Sequence, residues 1–328
     1  MRKFSIFTAV AVSITATIPA SALMAQWPGT TRGKHHHHVL EIGGLGLDRP
    51  GVGNPIPLIT EAVTGETLFD SEDATSVGGA AGLDIKYQYQ GRRGRTWRFR
   101  SIVADFDTAN EITADAGLAS PLLPLGVETD RISYEYDSRL FSFELMSVRN
   151  IVPGINVVAG PRYISMNEEV RTEGDAEIDF GNGLPLVTST QADTLSADNS
   201  LIGLQIGLEV VVPLAQSFYA EGFIRGGGFY NPTEVTTATQ DIAGGEFLDP
   251  PLFGPRTTSS SESLLAEIGG RLFFDLVPDS ISGYVGYEGT WIDGIALAPA
   301  QLFATAGTVD TSNTLFYQAV TFGLQMKF

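Results

Sequence analysis

The chain has 328 residues, 43% of them apolar and only 18% charged, with a formal net charge of −18 and no cysteine. The lack of cysteine excludes a disulfide scaffold and any thiolate metal site. The acidic balance argues against a nucleic-acid partner, whose phosphates need a basic surface.

Met1 to Ala22 reads as a secretory signal peptide. Arg2 and Lys3 start it, Phe4 to Ile18 is its apolar run, and Ala20-Ser21-Ala22 is an A-x-A-like cleavage site, with cleavage after Ala25 as the alternative. The run is short for a membrane helix, which needs about 20 apolar residues. Residues 23–36 read as a flexible leader, and a barrel domain is expected over 37–328. His35 to His38 follow Arg32-Gly33-Lys34. Clustered neutral imidazoles bind Zn²⁺, Ni²⁺ or Cu²⁺ weakly, but nothing nearby shapes a site. The tract reads equally as leader or engineered remnant, and no metal or cofactor is assigned.

The first candidate strand, His37 to Leu47, is Gly-rich and weakly alternating, and an irregular stretch to Gly79 follows it. Leu83, Ile85, Tyr87 and Tyr89 then alternate with Asp84, Lys86, Gln88 and Gln90, and a tight G-R-R-G-R turn leads to Trp97-Arg98-Phe99-Arg100. The apolar parity changes near Ser101 and again near Ser138 within Arg131 to Asn150. Each change predicts a bulge, because one extra residue re-aims the pleat. Ile155, Val157 and Ala159 continue through Tyr163. Ile202 to Val212 gives the clearest alternation, and Phe218 to Ile224, Leu264 to Leu276 and Ile281 to Trp291 follow. Val320, Phe322, Leu324, Met326 and Phe328 close the chain on one parity.

About ten strands (8–12) are thus expected. Short turns (91–94, 150–154, 213–217, 277–280) alternate with long loops (48–79, 107–128, 173–195, 231–258, 296–312). That segregation predicts an all-β fold: a transmembrane antiparallel up-and-down β-barrel with periplasmic turns and extracellular loops. Aromatic residues fall near both ends of the strands, Trp97 and Phe218 by the turns and Tyr134, Tyr230 and Trp291 by the loops, as interfacial girdles require.

Pro55 to Thr60, Phe143-Glu144-Leu145, Gly160-Pro161-Arg162-Tyr163 with Glu168-Glu169, and Asn199 with Gly203-x-Gln205-x-Gly207 occur in that order. Together they resemble motifs of a bacterial β-barrel porin family, family seven, common in planctomycetes. The resemblance spans 39–328, although that family's early Trp-rich strand is absent. It implies an outer-membrane barrel and says little about cargo.

With the polar parity taken as lumen, Lys86, Arg98, Glu135, Arg162, Glu209, Glu221, Arg225, Glu267 and Arg271 become candidate pore-lining residues. Ten strands lie near the size that side chains fill, so a narrow, paired lumen is expected. The long loops hold twenty acids against two bases, Arg49 and Arg256. Outer-membrane lipids are expected partners of a monomer, with divalent cations as candidates at the acidic loops. All four histidines lie in the His35 to His38 tract, so no histidine-based hydrolase is expected, and no enzyme. The functional expectation is a porin-like passive channel for small solutes. The alternative is a non-conducting structural or adhesive surface barrel whose acidic loops bind partners, divalent cations or envelope components.

Overall fold

The computed structural model describes residues 38–49, 57–61, 64–70, 77–91, 95–119, 129–178, 187–243, 246–247, 252–254, 256–301, 304 and 307–328. The signal peptide 1–22, the leader 23–36 and His35 to His37 lie outside the described residues.

The strands in chain order are β1 (His38–Arg49), β2 (Pro57–Glu61), β3 (Thr67–Asp70), β4 (Val77–Gln90), β5 (Thr96–Ala119), β6 (Thr129–Val152), β7 (Ile155–Ile178), β8 (Val187–Ala215), β9 (Phe218–Ala243), β10 (Glu246–Phe247), β11 (Leu252–Phe253), β12 (Thr257–Val277), β13 (Ile281–Ile295) and β14 (Asn313–Lys327). Ten of them close a ring, in the order β1, β4, β5, β6, β7, β8, β9, β12, β13, β14, with every pairing antiparallel. Ten register pairs between β1 and β14, Val39↔Lys327 to Asp48↔Gln318, complete the closure. The fold is therefore a closed ten-stranded antiparallel β-barrel. A single short helix, α1 (Ala298–Gln301), is described outside the strands.

The short turns lie where the sequence places them. Gly154 at φ 89° and Asp279 at φ 61° supply the left-handed backbone two of them need. The long loops do not match. β8 alone runs 29 residues, about three times the 9–11 that cross a bilayer. Most of 107–119, 173–178, 187–195 and 231–243 is strand.

Neither predicted bulge exists. Pairs run without a slip from Thr96↔Val148 to Thr113↔Arg131 between β5 and β6, and through Ser138↔Glu168 between β6 and β7. What changes at Ser101 and Ser138 is the surroundings of each face. Along β6, Phe141 and Phe143 face outward, and so, higher up, do Glu135, Asp137 and Arg139. Inward, Glu144 and Ser142 give way to Leu140, Tyr136, Tyr134 and Ile132. A strand period of two holds throughout, while lipid outside and charge inside become water outside and oil inside. Glu135, Asp137 and Arg131 therefore face outward, which corrects the placement of Glu135 in the lumen. Tyr134 is buried within the barrel rather than set in an interfacial girdle.

The lower outer face carries Leu83, Phe99, Phe143, Leu204, Ile224, Ile268, Val285 and Phe322. Ile202 to Val210 is the clearest stretch of this belt: five outward apolar residues over nine positions, one bilayer crossing. Above it, the interior holds one apolar core that includes Leu45, Ile102, Phe106, Tyr136, Ile164, Leu201, Phe229 and Tyr317.

Glycines seat inward side chains. A Cβ at Gly207 would stand 2.6 Å from Arg225 Cγ, and one at Gly43 would collide with the Tyr284 hydroxyl. At these two positions the missing bulk is occupied by neighbours.

Candidate functional site

Within the bilayer-crossing half, inward positions of nine strands carry the charges of one ion-paired layer, and β14 adds Gln325. Two groups form. In one, Arg100 takes Asp84 in a two-pronged grip at 3.0 and 2.9 Å and reaches Glu288 at 2.7 Å. Arg271 contacts the same Glu288, Asp84 at 3.1 Å and Glu41 at 3.1 Å. Lys86 sits 2.7 Å from Glu41 and 3.9 Å from Glu221.

In the second group, Arg162 meets Glu267 at 2.8 Å and Glu144 at 3.5 Å. Arg225 lies 3.0 Å from Glu209, 3.4 Å from Glu144 and 3.7 Å from Glu267. Arg98 pairs with Glu209 as well. Gln205 Nε2 donates to Glu144 at 3.1 Å. Arg100 and Glu144, 3.9 Å apart, join the two groups into one network.

Several pairs are chords of the ring. β5 reaches β13 through Arg100–Glu288, and β7 reaches β12 through Arg162–Glu267. Seven carboxylates (41, 84, 144, 209, 221, 267, 288) face six cations (86, 98, 100, 162, 225, 271). No side chain in the set is more than 11% exposed. Of the nine sequence candidates, Lys86, Arg98, Arg162, Glu209, Glu221, Arg225, Glu267 and Arg271 all join this layer, and Glu135 does not. Asp84, Arg100, Glu144 and Glu288, on the same polar parity, join it too, and Glu41 and Gln205 are members that the sequence reading did not select. The signal for Glu41 was masked by the Gly-rich alternation of β1. Gln205 stood in a quoted motif and on the clearest strand, but carried no charge to draw attention.

A second polar cluster lies in the apolar upper interior. Arg49, placed by sequence in a loop, ends β1 and is fully buried. Its Nη1 donates to Tyr136 at 2.5 Å, Ser138 at 3.4 Å and Glu168 at 2.8 Å. Glu168 also accepts from the backbone N–H of Ala298 at 3.0 Å. Ile295 to Gln301, carrying α1, is thus drawn inside the barrel and buried. Asn199 holds the segment from both sides: its Oδ1 accepts from Ala296 N at 2.9 Å and its Nδ2 donates to Ala296 O at 2.7 Å. Asn231, Ser261 and Ser263 donate to Gly294 O at 3.2, 3.0 and 2.7 Å. The β2–β3 hairpin adds Leu58, Ile59 and Phe69 to the same core, with Phe69 edge-on to Tyr134 at 5.0 Å between ring centroids.

At the opposite end, His38 stacks on Phe328 at 5.6 Å and its Nδ1 lies 2.6 Å from the Tyr87 hydroxyl. Among the described residues no group of three or more His, Cys, Asp or Glu side chains is arranged to hold a metal ion.

The class these features define is a transmembrane β-barrel with a charged, ion-paired lumen. No family model and no curated protein matches the chain. Among solved structures, the outer membrane protease OmpT from Escherichia coli aligns over 92% of this chain and 100% of its own, with 10% identity and a TM-score of 0.43. The Pseudomonas putida toluene transporter TodX aligns over 94% of each chain, with 9% identity and a TM-score of 0.27. A Pseudomonas aeruginosa FadL homologue aligns over 89% of each, with 10% identity and a TM-score of 0.25.

Proposed function

We propose that this chain is exported by its N-terminal signal to the outer membrane, where it serves as a non-enzymatic, non-conducting barrel that presents a rigid wall outside the cell. One observation carries this reading: the charged layer is a single connected network whose pairs run as chords across the lumen. A wet pore would leave such charges to water, whereas here Glu144 is 1% and Arg100 2% exposed. Above the layer, the apolar core and the inserted segment 295–301 fill the interior a second time.

The outer wall above the belt supplies the binding surface. Asp107, Asp137 and Glu169 are direct register partners across β5, β6 and β7, all facing outward. Like charges side by side are unfavourable unless a partner offsets them. A cationic surface, or divalent cations shared with envelope lipids, is the proposed partner of the monomer. The resemblance to porin family seven supports the barrel and says little about cargo. Its motif residues Glu144, Arg162, Glu168, Asn199 and Gln205 are the ones that interlock inside this barrel.

The test is single-channel recording of the refolded mature protein in a planar bilayer. The expected result is a folded, inserted barrel without conductance steps. Reproducible steps that change when Arg162 or Arg225 becomes Glu would overturn it and establish the passive channel instead.

A further inference from the structure

Where the charged layer meets the apolar core there is a cavity of ≈ 40 Å³. Arg100, Glu267 and Thr321 line its charged side, and Ile102, Leu140 and Ile164 its apolar side. Three of these residues each carry a buried polar atom with no hydrogen-bond partner among the described residues: Arg100 Nη1, Glu267 Oε2 and Thr321 Oγ1. The nearest ionic contacts of the first two are long. Arg100 Nη1 lies 3.9 Å from Glu144, and Glu267 Oε2 lies 3.7 Å from Arg225. Such separations exceed a direct hydrogen bond, and a shared water closes them.

We infer that this cavity binds a cluster of about three waters, each needing some 10–15 Å³ of such space, and that these waters complete the hydrogen bonding of Arg100, Glu267 and Thr321. The chemistry of the lining selects water. One atom only donates, one only accepts, and the hydroxyl does both, so a molecule that does both serves all three. An apolar guest would leave all three unpartnered, and the space is well below the roughly 150 Å³ of a cavity that takes benzene. The consequence is a division of labour inside the lumen. The charged layer is wetted on its upper side, so the dry part of the barrel begins above the collar of Leu45, Ile102, Leu140 and Ile164 that roofs the waters. This inference is independent of whether the barrel conducts.

The test is methyl-detected NMR of the refolded full-length barrel in nanodiscs, reading water-to-methyl Overhauser transfer. Transfer is expected at Ile102, Leu140 and Ile164 and not at Leu195 or Leu315, which are buried in the core but do not line the cavity. No transfer at the first three overturns the inference, and so does equal transfer at Leu195, because the whole interior would then be wet. Ala319 also lines the cavity, and Ala319→Leu would fill it. That variant is expected to abolish the signal and lower the urea midpoint, whereas filling a dry cavity would leave the midpoint unchanged or raise it. Should Ala319→Leu fail to fold, Thr321→Val serves, since it keeps the shape and removes one water ligand. A reduction of the transfer by about half is expected of it, and undiminished transfer would count against the site.

Discussion

The lower and upper halves of this barrel are built from the same strands in the same register, yet they are inverted with respect to each other. In the lower half apolar side chains face out and ionised ones face in. In the upper half Glu135, Asp137 and Asp198 face out while Tyr134, Tyr136 and Ala197 face in. The difference teaches that the solvent, and not the strand, decides which parity is apolar. A lipid-facing charge costs about 2–4 kcal/mol at the midplane, and nothing of the kind applies once the wall stands in water. The lower half must then satisfy its interior by pairing charge with charge, a weak source of stability but a firm constraint on geometry. The upper half is stabilised as soluble proteins are, by removing apolar surface from water.

The largest predicted effect breaks the lower half from within. Glu144 contacts Arg100, Arg162 and Arg225. Glu144→Ala leaves three buried guanidiniums short of a counter-charge, and losing one partner of a buried pair costs about 3–5 kcal/mol. A marked fall in the urea midpoint of the barrel refolded in lipid vesicles is expected, and an unchanged midpoint would mean that water already screens the layer. Next comes the lipid face. Ile206→Lys, 63% exposed on the belt, is expected to cost about 2–4 kcal/mol. Asp198→Lys, on the same strand and the same outward face but above the belt, should change stability little. If the two cost the same, the boundary between the halves is misplaced.

These pairs also show how much was legible in the sequence. Strand existence, the short turns and the inward placement of eight of the nine candidate pore-lining residues followed from a period of two. The closing strand β14 pairs with β1 as the weak alternation of His37 to Leu47 allowed. The inversion was not legible. A parity change at Ser138 looks the same in a string whether a bulge flips the pleat or the surroundings exchange places. Taking the bulge placed Glu135 inside, and reading the polar upper ends of β7, β8 and β9 as loops shortened those strands. The inserted segment 295–301 was hidden for a different reason. Its anchors, Asn199 and Glu168, lie 97 and 130 positions from the backbone they hold, a separation no local pattern encodes.

The inserted segment gives the next prediction, smaller because it concerns hydrogen bonds in place of charges. Asn199→Ala removes both bonds to Ala296 and the one accepted from Asn231 at 3.0 Å. Buried backbone groups left unpaired cost about 1–3 kcal/mol. The expected result is a modest loss of stability with faster amide exchange at Ala296 and Ala298, while exchange in the charged layer stays slow. Uniformly faster exchange would show that the two halves unfold as one unit and that the boundary between them is one of chemistry only.

The smallest effect carries the sharpest discrimination. Glu135→Gln changes a carboxylate that faces water above the belt, beside Arg171 in the register of β6 and β7. Arg171 pairs with Glu173, and surface charges of this kind contribute little, so the urea midpoint should match the wild type within error, and more closely at high salt. The same substitution in the layer, Glu144→Gln, keeps the shape and removes only the charge, and should still lower the midpoint. If Glu135→Gln were instead the more damaging of the two, β6 would have to bulge at Ser138 after all, and the upper half would share the charged interior of the lower.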